Sequence, residues 1–126
     1  MNKIDLSGKL SLFNDHWNPR IIDELNENYI KLVKLQGDFI WHSHDHEDEL
    51  FVVLKGKLLM DFRDETNESG IRTVEINEGE IIVVPKRMEH RPHSDDEVHI
   101  MLIEPKSVVN TGETENELTR KELDRI

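Results

Sequence analysis

The stretch GDFIWHSHDHEDELFVVLKG, residues 37–56, holds two short apolar runs bounded by glycines and joined by an acidic, histidine-rich loop. Runs this short between turn residues read as strands rather than helices. His42 and His44 stand two apart on the first run, 39–44, and the period of a strand points both imidazoles to one face. Glu49 opens the second run, 49–55, and an antiparallel neighbour brings its carboxylate beside the two histidines. Alternation puts Glu49, Phe51 and Val53 on one face and Leu50, Val52 and Leu54 on the other. A strand that is apolar on both faces is covered on both. The N-terminal segment, with Leu10, Leu12, Phe13 and Trp17, is one candidate cover and a second copy of the chain is another.

The same pattern continues outward on both sides. Residues 20–25 and 28–36 read as strands across a turn at Asn26, and Gly37-Asp38 reads as a further turn. Residues 57–63 follow the turn at Gly56, and Asp64–Gly70 is a polar hairpin loop. Residues 71–76 and 80–85 flank Asn77-Glu78-Gly79, and 89–93 and 97–104 close the series. About eight or nine strands with no long internal helix point to an all-β fold, a closed or double-sheet barrel. The 126 residues suit a single domain spanning 1–126. Its core runs from about 20 to 104, with an arm at 1–19 and a polar tail at 105–126. Short helices are expected at 3–14 and in the final NELTRKELDRI, where a loosely attached tail is the alternative.

Histidine carries the chemical signal. His90 follows the strand that ends at Val83-Val84-Pro85, and in a barrel it closes a site with His42, His44 and Glu49 from the opposite sheet. Three neutral imidazoles and one carboxylate suit a divalent transition metal ion: Mn, Fe, Co, Ni or Zn. A six-coordinate ion so held keeps two positions for substrate, water or dioxygen.

The two segments that carry these residues also resemble the two motifs of the cupin family. Gly37-DFIW-His42-Ser-His44-DHED-Glu49-LFVVLK-Gly56 is similar to the first motif, with one residue fewer after the opening glycine. Gly79-EIIVV-Pro85-Lys-Arg87-ME-His90-RPH-Ser94 is similar to the second, with Arg87 in place of a glycine and Ser94 in place of an asparagine. Neither departure removes a ligand. The whole chain resembles the small single-domain cupins of the type-2, RmlC-like group. The resemblance implies a double-stranded β-helix, or jelly roll, with the metal on His42, His44, Glu49 and His90. It leaves the reaction open, because cupins include oxygenases, isomerases, epimerases and pure binding proteins.

The expected function is therefore a metal-dependent enzyme of oxygenase or isomerase type, acting on a small organic molecule in the barrel. A non-enzymatic module that binds a sugar or metabolite beside the metal is the alternative, and a purely structural metal is a third. On 97–104, His99 shares a face with Met101 and Ile103, while Val98, Ile100 and Leu102 share the other. If the first face lines the cavity, His99 is the candidate proton carrier; otherwise it is a hydrogen-bonded structural histidine. His46 reads as a solvated loop residue, His93 as facing away from His90, and His16 and Trp17 carry no assigned chemistry.

Composition excludes other classes. A net charge of −11 disfavours phosphate contacts with nucleic acid and repels anionic membranes. The absence of cysteine excludes disulfides, thiolate ligands and a cysteine nucleophile, and suits a cytoplasmic protein. No apolar segment has the length of a signal peptide core or a membrane span. The apolar outer face of 49–54 points to a homodimer.

Overall fold

The computed structural model describes residues 1–126. The elements are α1 (Leu6–Leu10), β1 (Arg20–Leu25), β2 (Asn28–Asp38), β3 (Glu49–Lys55), β4 (Lys57–Arg63), β5 (Ile71–Asn77), β6 (Ile81–Val84) and β7 (His90–Pro105). All strand pairs are antiparallel, and the main sheet runs β1-β2-β7-β3-β6. The fold is all-β, as the run of short apolar segments requires.

β7 joins the two halves of the barrel. Its first residues, His90 to His93, pair with Phe62 to Leu59 of β4, which in turn pairs with β5. Its later residues lie between β2 and β3. The exposed Asp95-Asp96-Glu97 segment sits between these two stretches. Residues 89–93 and 97–104, expected as two strands, are thus one continuous strand that changes partners.

The alternation of β3 holds: Glu49, Phe51 and Val53 are buried, and Leu50, Val52 and Leu54 are half-buried on the outer side. Leu58, Met60 and Phe62 of β4 also point inward, where they join the core with Val98, Ile100 and Leu102 of β7.

Three further expectations are corrected. Residues 39–44 are not a regular strand, because their backbone finds partners only at intervals: Phe39 N bonds Pro92 O, His42 and His90 exchange N–H···O bonds, and Arg87 N bonds His44 O. Gly37-Asp38 is not a turn either. β2 runs through it with a register shift between Leu35 and Gly37, where Gly37 takes φ +82°. Finally, the C-terminal tail is neither helical nor loose. Asn110, Asn116 and Thr119 side chains capture tail backbone groups, which competes with helix formation. Ile126 N and Ile21 N then tie the chain end to β1. The predicted N-terminal helix is present as the short α1.

The arm lies on β2. Trp17 N bonds Lys34 O, Lys34 Nζ bonds Phe13 O at 2.6 Å, and Leu32 beneath is fully buried. No helix is long and apolar enough to cross a membrane.

Candidate metal centre

Four side chains meet inside the barrel. The ligand atoms of His42, His44, Glu49 and His90 all lie within 4.8 Å of one another, and all four residues are buried. Glu49 arrives at the start of β3 and His90 at the start of β7. His42 and His44 arrive on the irregular 39–44 segment, which is held to His90 by the paired bonds of 3.0 and 2.9 Å.

The tautomers follow from the backbone. His42 Nδ1 lies 3.0 Å from Ile40 O, and His90 Nδ1 lies 2.8 Å from Met88 O. A carbonyl only accepts, so each Nδ1 carries the proton and the neutral ring turns a bare Nε2 to the centre. His44 Nε2 and His90 Nε2 come within 3.0 and 3.2 Å of Glu49 Oε1. None of these three buried atoms has a properly directed hydrogen bond. Buried imidazole nitrogens and a carboxylate oxygen that converge without directed hydrogen bonds are what a cation requires, so the donor set fits a metal ion.

The local field favours the ligating form at His42 and Glu49 and opposes it at His44. Burial, and then the neighbouring His90, push His42 down to about 4, so it stays neutral. Burial opposes charge on Glu49 as well, but contacts with Glu104, His44 and His90 hold it well below the usual carboxylate range. Burial also opposes charge on His44, yet the Glu49 contact raises it above its ordinary value.

A cavity of about 50 Å³ opens beside His42 and Glu49. Its walls are mainly apolar, with Trp17, Phe39, Phe51 and Leu102 prominent, and Trp17 stacks on Phe39 at 4.7 Å. Glu104 also faces it. This residue is 2% exposed and accepts a 2.7 Å bond from Lys31, itself 2% exposed. Burial, then the charge of Glu49, push Glu104 well above the ordinary carboxylate range.

A family model for the cupin domain matches residues 30–104. The chain belongs to the cupin family. Over 82% of its length this cupin superposes on a cupin-2 domain protein from Shewanella frigidimarina NCIMB 400, covering 94% of that chain, with a TM-score of 0.75 and 44% identity. It is 36% identical over 73 residues to YdbB of Bacillus subtilis (strain 168), a match that covers 58% of this chain and 59% of that protein. The hydroquinone 1,2-dioxygenase of Sphingomonas sp. TTNP3, solved in complex with 4-nitrophenol, shares the fold. Its TM-score is 0.71 at 24% identity, over 84% of this cupin and 33% of that chain.

The remaining histidines lie elsewhere. His99 is on the outer face of β7, because Val98, Ile100 and Leu102 take the inner one. Its Nε2 is 2.8 Å from Glu97 Oε1, and His16 of the arm bonds the other oxygen of Glu97 at 2.7 Å. The conditional proton-carrier role of His99 falls away with that placement. His93 bonds Asp61 on the outer side of β4, and His46 is exposed.

Sequence reasoning missed Trp17, Lys31 and Glu104. Lys31 and Glu104 each stand in phase with buried apolar neighbours, Val33 and Leu35 for one and Ile100 and Leu102 for the other. That phase was the available signal.

Proposed function

We propose that this cupin binds one divalent transition metal ion through His42, His44, Glu49 and His90 and is an enzyme of oxygenase type. Its substrate would be a small, largely apolar molecule. The observation that carries this reading is the set of unpartnered ligand atoms beside an apolar cavity. A bound ion there supplies Lewis acidity and open coordination positions. The apolar walls desolvate whatever enters and set its orientation, while the backbone bonds of His42 and His90 fix their rings.

Isomerisation is the other enzymatic reading, and it needs a proton carrier at the reacting carbon. His99 is on the outside, and Glu104 is the only acid besides the ligand Glu49 that faces the cavity. A non-enzymatic binding module is the second reading, since besides Glu49 the cavity presents a single acid, Glu104, as a group for chemistry. The proposed setting is cytoplasmic, and the proposed assembly is a homodimer through the outer face of β3 and β6. Ile81 and Val83 are exposed there beside the half-buried Leu50 and Val52.

The test is oxygen uptake by the metal-loaded protein over a panel of small organic molecules of graded size. Substrate-dependent uptake that is lost in His44→Ala supports the oxygenase reading. Saturable binding of a panel member with no turnover supports the binding module instead.

A further inference from the structure

The polar row behind the metal ligands has a role beyond filling the barrel. β7 lies between β2 and β3, and the β3–β7 register pairs Leu50 with Ile103. One step further along, Glu49 lies opposite Glu104. On the other flank of β7, Lys31 is two residues along from Tyr29, the partner of Glu104. Lys31, Glu104 and Glu49 therefore form a line across three strands on the inner face.

The line is dry and connected. Lys31 Nζ donates to Glu104 Oε1 at 2.7 Å, and Glu104 lies across β7 and β3 from Glu49, with both residues lining the same cavity. The remaining oxygen, Glu104 Oε2, is buried without a partner. A buried lysine–carboxyl pair is poor stabilising material, since a well-packed apolar pair of similar volume usually does as well or better. Its position against a carboxylate ligand gives it a different use. Groups behind a metal ligand fix its orientation and tune its basicity.

We infer that Glu104, anchored by Lys31, is a positioning residue that orients Glu49 towards the metal and so sets metal affinity. This rests on the metal reading given above.

The experiment compares cobalt(II) binding, by calorimetry and visible spectrum, in the wild-type chain, in Glu104→Gln and in the double variant Lys31→Met/Glu104→Leu. The glutamine keeps an acceptor for Lys31 and the same side-chain shape against Glu49, so its affinity stays within about threefold of wild type and its spectrum is unchanged. The double variant removes both polar partners together, which avoids stranding an ammonium in the core, and a thermal melt of the metal-free protein checks its fold. It binds cobalt about 10- to 100-fold more weakly, the range seen when such supporting groups are lost, with an altered spectrum. Unchanged affinity and spectrum in the folded double variant overturn the inference while leaving the metal site standing. So does a Glu104→Gln protein as impaired as the double variant. A wild-type chain that binds no cobalt overturns the metal reading, and this one with it.

Discussion

Gly112 of the tail lies against the backbone of Ser43, the residue between two of the metal-site histidines: a Cβ on Gly112 would stand 2.1 Å from Ser43 O. Thr111 next to it is fully buried, and Thr111 and Thr119 share a 2.7 Å hydroxyl bond. The tail thus closes the barrel over the His42–His44 segment.

Gly112→Ala is expected to destabilise the protein by about 2 kcal/mol or more, because a backbone oxygen has to move and φ is +62°. The same displacement shifts His42 and His44, so metal content falls too. Thermal melting with and without metal measures both. An alanine variant with wild-type stability and metal content would show that the tail does not hold the site.

Arg87 takes φ +70° in the turn before His90, where its N–H bonds His44 O at 2.7 Å. A left-handed conformation costs a residue with a Cβ roughly 1–2 kcal/mol, and glycine avoids that cost at some loss of chain entropy. Arg87→Gly is therefore expected to be neutral or stabilising by up to about 1 kcal/mol in denaturant unfolding. A clear loss of stability would mean that the arginine side chain does more than occupy the turn.

The convergence of the four candidate ligands was readable because each sits in a short local pattern: His-x-His, a glutamate at the head of an apolar strand, and a histidine just past a proline. The alternation of β3 and β4 was readable for the same reason. What escaped depends on partners far away in sequence. Gly112 meets Ser43, Trp17 meets Phe39, and Lys31 meets Glu104 only in the folded barrel. Residues 39–44 have strand composition but lack a continuous partner, and composition alone does not reveal a missing ladder.

Acid should weaken the metal-free fold. His42 is pushed down to about 4 from 6.5 by burial and His90, so the unfolded chain takes up its proton first as pH falls. Its contribution is complete above about 6.5 and is lost towards pH 4, about 3 kcal/mol across that window. His44 runs the other way: its raised value adds stability that is present below 6.5 and lost as pH rises through that value, which partly offsets His42. Metal binding needs all three imidazoles neutral. The melting temperature is expected to fall from pH 6.5 to 4 in the metal-free protein and more steeply in the metal-loaded one. Parallel curves for the two would contradict a three-histidine site.

The outer sheet face predicts assembly. Val83 is 56% exposed in the single chain, so Val83→Glu leaves folding intact but places an unpaired charge in a sheet-to-sheet interface. Sedimentation should show a wild-type dimer and a monomeric, folded variant. A wild-type protein that is monomeric at high micromolar concentration would show that the face stays open.

The most direct test is the metal content of protein purified without an affinity tag, measured by elemental analysis beside His44→Ala and Glu49→Ala variants. The account predicts about one equivalent of a single transition metal per chain in the wild type, with most of it lost in each variant. Wild-type protein that carries no metal and takes up none of Mn, Fe, Co, Ni or Zn, or variants that keep a full equivalent, would contradict it.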